Sequence, residues 1–114
     1  MASFILLKEE FILFRTIELT QGNLNNNHIY LSSIMDLFPP ESIGGPNESE
    51  LGAQLEIHCG IAEPVFTDIA GDKKIFRKRS WLGAFFQSHS LSAGSRIIIE
   101  RTGMNRYHIY PLRV

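Results

Sequence analysis

Residues 91–110 have the sequence LSAGSRIIIERTGMNRYHIY, which carries the clearest β pattern in the chain. The run begins with the turn-forming residues Ser92–Ser95. The β-branched content of Arg96–Arg101 and the aromatic content of Tyr107–Tyr110 then favour extended backbone. Because Gly103 lies between these two segments, we predict two closing strands joined by a short turn.

Five further segments have the alternation, the β-branched content or the flanking turn residues that are typical of strands. They are Phe11–Thr20, His28–Leu31, Leu51–His58, Pro64–Ile69 and Lys73–Arg79. Two short α-helices are predicted at Ser32–Phe38, which Pro39 ends, and at Trp81–His89, for which Ser80 is the candidate N-cap.

Short strands at this spacing are typical of an antiparallel barrel, because closure leaves few strand edges exposed. The predicted fold class is therefore mainly β, with about seven strands in a closed or nearly closed antiparallel barrel and two short α-helices. A chain of 114 residues fits one domain of this kind, covering residues 1–114.

Composition limits the compartment and the partners. No stretch approaches the ~20 apolar residues that a membrane span requires, so no membrane partner is expected. The apolar start Met1–Leu7 is too short for a signal peptide, because Lys8 and two glutamates follow at once. The single cysteine, Cys59, cannot form an internal disulfide, so we expect a cytoplasmic protein.

Charge is distributed unevenly along the chain, although the formal net charge is only −1. Residues 1–72 carry two basic and eleven acidic side chains, whereas residues 73–114 carry nine basic side chains and one acidic one. The densest basic cluster is Lys73, Lys74, Arg77, Lys78 and Arg79. It can be interpreted as a solvated charged strand or as a phosphate-binding patch.

The segment Gln21–Asn27 is predicted to be a loop, because it is rich in turn-forming residues. Its polar side chains, with the next residue, are Gln21, Asn23, Asn25, Asn26, Asn27 and His28. Asparagine pairs bidentately with adenine in the major groove, so this loop is a candidate base reader. The alternative is a plain turn, because asparagine tolerates left-handed backbone.

The sequence supports a catalytic or metal-binding site less well than it supports a nucleic-acid-binding surface. The four histidines have no metal-ligand spacing, and His58 and Cys59 are adjacent in a predicted strand, so they point to opposite faces. We therefore predict no metal and no cofactor. A metal-dependent nuclease that uses Asp68, Asp72 and Lys74 remains an alternative function.

The aromatic residues Trp81, Phe85 and Phe86 also allow two interpretations. They are either core residues of the second helix or a platform on which single-stranded bases stack. Their helical spacing favours the core.

Short motifs along most of the chain, about Phe14–Pro111, resemble the plant B-three DNA-binding domains. The first set is Leu19-Thr20-Gln21-Gly22-Asn23-Leu24, Ile29-Tyr30-Leu31 and Leu37-Phe38-Pro39, and the second is Leu82-Gly83-Ala84-Phe85-Phe86, Leu91–Ser95 and Ile97-Ile98-Ile99. The family usually has Trp at the position of Leu82 and Asp at that of Ser95. These departures favour a prokaryotic relative, and the chain is also similar to the DNA-recognition domains of EcoRII-like restriction endonucleases.

The resemblance implies a seven-stranded antiparallel pseudobarrel, an open barrel, with two short helices and two arms that grip the major groove of double-stranded DNA. The N-arm would span Gln21–His28 and the C-arm Thr67–Arg79. The predicted DNA-binding residues are Gln21, Asn23, Asn25, Asn26, Asn27, His28, Thr67, Asp68, Asp72, Lys73, Lys74, Arg77, Lys78 and Arg79.

Within the C-arm, strand alternation predicts that Arg77 and Arg79 face the DNA, opposite Phe76. The expected function is sequence-specific DNA binding without catalysis, either alone or beside a nuclease domain of a parent protein. A barrel that binds a small molecule or a protein is the third interpretation.

Overall fold

The computed structural model describes residues 13–113, which form eight β-strands, two α-helices and three short 3₁₀ helices. The strands are β1 (Leu13–Glu18), β2 (Ile43–Gly44), β3 (Leu55–His58), β4 (Val65–Thr67), β5 (Ile69–Ala70), β6 (Ile75–Phe76), β7 (Arg96–Arg101) and β8 (Arg106–Pro111). The α-helices are α1 (Gln21–Asn26) and α2 (Ser80–Ser88), and the 3₁₀ helices cover Ser32–Leu37, Pro40–Ser42 and Glu48–Glu50. No helix in this range is long and apolar enough to cross a membrane.

The strands form two sheets, which confirms the mainly β fold class. The larger sheet has the order β1-β7-β8-β3-β4, and the smaller has the order β2-β5-β6. The prediction of purely antiparallel pairing is wrong, because β3 pairs with β8 and β2 with β5 in parallel. Long connections separate the strands of both pairs, and such crossovers are what parallel pairing requires. Across residues 13–113 the sheets do not close into a barrel.

Several predicted strands are shorter in the structure, because pairing to a neighbour sets their length. Only Leu55–His58 pairs within the predicted strand 51–58, and only Ile75–Phe76 within 73–79. The predicted strand 64–69 is divided at Asp68 into β4 and β5, which belong to different sheets.

The first two predicted strands also differ from the structure. β1 covers Leu13–Glu18 of the predicted strand 11–20, of which Phe11 and Ile12 lie outside the described residues. His28–Leu31 is not a strand, although the backbone N–H of Leu31 donates to the Lys74 carbonyl at 2.8 Å.

The helix predicted at Trp81–His89 is confirmed as α2. It begins at Ser80, so Arg79 rather than Ser80 is the N-cap residue, and no side chain caps this end. The helix predicted at Ser32–Phe38 is a 3₁₀ helix with Leu31 at its N-cap, and no serine hydroxyl caps it. The predicted loop Gln21–Asn27 is mostly α1.

One hydrophobic core lies between the larger sheet and the helices. Ile57, Ile99 and Tyr107 of the sheet are fully buried. The aromatic residues of α2 pack against this layer, with Trp81, Phe85 and Phe86 only 8, 0 and 6% exposed. Their burial supports the interpretation as core residues over a stacking platform. Cys59 is likewise buried, as its small apolar character predicts.

Tyr107 connects the larger sheet to the Ser32–Leu37 3₁₀ helix. Its hydroxyl donates to the carbonyl of Leu37 at 2.8 Å, and the bond is fully buried. Burial also raises the pKa of Tyr107 to about 12, so the hydroxyl remains a donor throughout the physiological pH range.

Tyr107→Phe should lower the free energy of unfolding by about 1–3 kcal/mol, because it leaves the buried Leu37 carbonyl without a donor. Tyr110→Phe is the matched control, because the Tyr110 hydroxyl donates to Glu100 in a partly buried position and its loss should cost less. Urea denaturation of both variants measures the difference. Equal losses would show that the Tyr107–Leu37 bond has no special role.

Candidate nucleic-acid interface

The helix α1 starts where the sequence suggests a turn, because Thr20 and Asn23 form a capping box. The Thr20 hydroxyl accepts from the backbone N–H of Asn23 at 3.2 Å, and Asn23 Oδ1 accepts from the backbone N–H of Thr20 at 2.8 Å. Two backbone N–H groups at the N-terminus of the helix thereby gain hydrogen-bond acceptors. Asn23 is only 4% exposed, so its side chain is committed to folding and unavailable to DNA.

The other polar residues of α1 remain at the surface. Gln21 donates to Asn25 Oδ1 at 3.0 Å, and Asn26 donates to the Gly22 carbonyl at 3.1 Å, both in exposed positions. Asn27 ends the helix in the left-handed region, with φ of 50°. The carboxamides of Asn25, Asn26 and Asn27 therefore lie at the C-terminal end of a short helix instead of in an irregular loop.

His28, the last residue of the N-arm, contacts Tyr30 and also Arg79 of the C-arm. Its ring centroid lies 4.6 Å from that of Tyr30, and Nδ1 lies 3.4 Å from an Arg79 guanidinium nitrogen. Burial and the nearby Arg79 charge lower the pKa of His28, so the imidazole is neutral at pH 7. A neutral imidazole carries one donor and one acceptor, which suits a base edge better than a phosphate.

The turn between β5 and β6 presents Asp72, Lys73 and Lys74, which are all exposed. Lys74 has φ of 57°, and its backbone N–H closes the turn on the Ala70 carbonyl at 2.7 Å. The carbonyl of Lys74 accepts from the backbone N–H of Leu31 at 2.8 Å. This bond joins the turn to the chain that leaves α1.

Arg77 forms a buried ion pair with Asp68. Arg77 Nε lies 2.7 Å from Asp68 Oδ1 and a terminal nitrogen lies 3.0 Å from Oδ2, while the side chains are only 13 and 1% exposed. Arg77 also donates to the Gly45 carbonyl at 2.7 Å, and the Gly52 amide donates to Asp68 at 2.8 Å. The pair therefore connects the C-arm to the loop after β2.

Thr67 and Trp81 fix the backbone that carries the next two cations. The Thr67 hydroxyl accepts from the backbone N–H of Lys78 at 2.9 Å, and the Trp81 indole donates to the Lys78 carbonyl at 2.6 Å. Thr67 itself is buried. Lys78 and Arg79 are exposed, so this backbone presents two positive charges to solvent.

The two arms meet at a shallow hollow of about 400 Å³. It is lined by Asn26, Asn27, Lys78, Arg79 and Ser80. Arg79 also borders a second hollow of about 230 Å³ that includes Asp72 and Lys73. Carboxamides, cations and the N-terminus of α2 thus form one continuous surface. Sequence reasoning missed Ser80 as a member, although its position before the predicted helix was a usable signal.

Three of the predicted DNA-binding residues, Asn23, Thr67 and Asp68, are buried and do not face this surface. Arg77 lines the second hollow, but its guanidinium is held by Asp68. The strand ends at Phe76, so strand alternation does not determine where Arg77 and Arg79 point. Both residues nevertheless line the hollow that includes Asp72 and Lys73.

The nuclease alternative loses its proposed metal ligand. Both oxygens of Asp68 accept hydrogen bonds from Arg77, one also from Gly52, and the carboxylate is 1% exposed. Within residues 13–113, no three His, Cys, Asp or Glu side chains come together as a possible metal site.

A further hollow lies between α1 and α2, beside the candidate interface. It measures about 630 Å³ and is lined by Leu24, Asn27, Gly83, Phe86, Gln87, Ser90 and Leu91. The mixed apolar and amide lining is the feature that most favours the small-molecule or protein-binding interpretation.

Comparison with known proteins adds no relative, since no family model, no curated protein and no solved structure matches this chain.

Arg77→Met should lower the free energy of unfolding at pH 7 by about 3–5 kcal/mol, because it leaves the Asp68 carboxylate buried without a counter-charge. Arg15→Met is the matched control. Arg15 pairs with Asp36 at the same 2.7 Å, but the side chains are 40 and 70% exposed. Its loss should cost less than about 1 kcal/mol. Similar losses in urea denaturation would contradict a structural role for the buried pair.

The buried pair also predicts an acid dependence. Burial alone would raise the pKa of Asp68, but the hydrogen bonds from Arg77 and Gly52 outweigh it and lower the pKa below the usual value. The resulting stability is present above the unfolded-state pKa and is lost as pH falls through the folded one. Asp68→Asn should flatten the acid limb of stability against pH, which chemical denaturation at several pH values measures.

Proposed function

We propose that this protein binds double-stranded DNA sequence-specifically through its two arms, as a recognition module without catalysis. The observation that carries the proposal is the hollow where Asn26 and Asn27 lie beside Lys78 and Arg79. Phosphate contacts position a protein on DNA, whereas base-edge contacts specify sequence. Cations suit the first task and carboxamides the second, so one small surface offers both.

Charge supports the same assignment. The exposed cations of the C-arm are Lys73, Lys74, Lys78 and Arg79, whereas Asp68 neutralises Arg77. The N-terminus of α2 adds the positive end of a helix dipole beside the hollow, where no side chain caps it. A protein with a net charge of −1 can therefore attract phosphates locally, although its total charge does not favour nucleic acid.

The fold is part of the proposal. We infer that the two sheets are a divergent form of the B-three-type open pseudobarrel, in which short strands and loops display two arms. The DNA-recognition domain of EcoRII-like restriction endonucleases is a functional parallel, and a cytoplasmic parent protein would supply any nuclease domain. Selection from a random duplex library tests binding and sequence preference together, and recovery of no enriched sequence would contradict the proposal.

Affinity for duplex DNA should fall with log salt at a slope of about −3 to −4, since four exposed cations can each neutralise about one phosphate. Lys73→Ala and Lys78→Ala should each weaken binding to cognate and scrambled duplexes alike, and each should reduce the salt-dependence slope by about one. Arg96→Ala removes an exposed cation from β7, outside both arms, and should change neither. A slope near zero in fluorescence anisotropy would instead favour the small-molecule or protein-binding interpretation.

Asn25→Ala and Asn26→Ala should each weaken binding to the cognate site by about 1–3 kcal/mol and relax the base preference at one or two base pairs. Binding to scrambled duplex should barely change, because these side chains carry no charge. Gln54→Ala, which removes an exposed carboxamide outside both arms, is the control. Equal losses on cognate and scrambled duplexes would show that the end of α1 does not read bases.

A further inference from the structure

A second group of polar side chains lies on the larger sheet, outside both arms. The parallel register of β3 and β8 places His58 beside His108 and Glu56 beside Arg106. The intervening residues Ile57 and Tyr107 are fully buried. Because side chains alternate along a strand, both histidines and their partners point to the solvent face of the sheet.

These side chains surround a hollow of about 300 Å³, here called the sheet-face hollow. It is lined by His58, Thr102, Arg106 and His108. Thr102 follows β7, and its backbone N–H donates to the Arg106 carbonyl at 2.8 Å. The turn between β7 and β8 therefore brings a hydroxyl next to the guanidinium and the two imidazoles.

Neighbouring contacts hold three members in place. Glu56 Oε2 lies 2.6 Å from His58 Nε2, and the His108 ring lies 4.5 Å from the Tyr110 ring. Arg106 lies along Gly103, where a Cβ would come within 3.2 Å of a guanidinium nitrogen. Positions fixed in this way reduce the entropy that a ligand must remove on binding.

Arg106 differs from its neighbour Arg101 in having unused donors. Arg101 donates to the carbonyls of Gly103 and Met104 at 3.2 and 2.6 Å. Of the four side chains that line the hollow, only His58 has a hydrogen bond to another group within residues 13–113, and that bond is to Glu56. A free guanidinium fork beside imidazole and hydroxyl donors is suited to an oxyanion.

We infer that the sheet-face hollow binds a small oxyanion of the phosphate class, either inorganic phosphate or the phosphate of a monoester. The same face carries Glu18, Glu56 and Glu100, which the register places across from Arg96, Arg106 and His108. Together these carboxylates oppose a polyanion such as duplex DNA, which would span the whole face. Near the hollow, Glu56 contacts His58 and Glu100 accepts from the Tyr110 hydroxyl, so both are paired with neighbouring groups while Arg106 provides the positive charge for a small anion. The inference is independent of the proposed DNA binding.

The test follows the imidazole proton resonances of His58 and His108 by NMR while inorganic phosphate, or a 5′-mononucleotide, is added at constant ionic strength. Both residues should shift and saturate, with chloride causing no such change. Arg106→Gln should weaken binding about tenfold or more, because it removes the charged fork. Arg96→Gln, the same change at an exposed position on the same face, should leave affinity within about twofold.

The inference is wrong if neither inorganic phosphate nor the mononucleotide causes a saturable shift. It is equally wrong if the two arginine variants weaken binding to the same extent, since that would indicate general charge screening. It is also wrong if Arg106→Gln weakens duplex binding as strongly as phosphate binding, because the hollow would then belong to the DNA interface. Phosphate binding that persists when the protein binds no DNA would support the sheet-face hollow and contradict only the proposed function. Saturation by the mononucleotide but not by phosphate would identify the monoester as the ligand.

Discussion

The ion pair between Asp68 and Arg77 is the contact on which the arrangement of the C-arm depends. Asp68 lies where the chain passes from the larger sheet to the smaller one, and its carboxylate binds Arg77 and the Gly52 amide. The fit is close enough that a Cβ at Gly44 would lie 2.5 Å from Asp68 Oδ2. Three separate segments are thereby held together, and the positions of Lys78 and Arg79 follow.

The ion pair divides the basic residues of the C-arm into two groups: Arg77 stabilises the fold, whereas the exposed cations remain available to bind a ligand. Arg77 belongs to the same basic run as Lys78 and Arg79, yet only the last two are exposed. Burial of one cation with its counter-ion costs desolvation, which good geometry and added hydrogen bonds offset. The exposed cations keep their hydration and flexibility, which suits contacts with a phosphate backbone whose sequence varies.

Sequence alone identified the parts of the fold that local patterns determine. The β-branched content of β7, the aromatic content of β8 and the helical spacing of α2 needed no partner to be recognised. The helix at Gln21 was missed because asparagine-rich segments resemble turns, although the Thr20–Asn23 capping box starts it. The role of Arg77 depends on Asp68 and on the Gly45 carbonyl, which is distant in sequence. Asn27 and Lys78 line the same hollow only because of tertiary packing. No spacing in the sequence encodes either.

Two of the residues at the candidate interface have backbone that glycine would adopt more easily. Asn27 and Lys74 have φ of 50° and 57°, and a left-handed conformation costs a side-chain-bearing residue about 1–2 kcal/mol, less for asparagine. A glycine at either position would relieve that cost but would delete a polar or charged group from the surface. The folded state is therefore slightly less stable because of one residue in each arm, Asn27 in the N-arm and Lys74 in the C-arm. Selection for thermostability alone would be expected to erode this surface first.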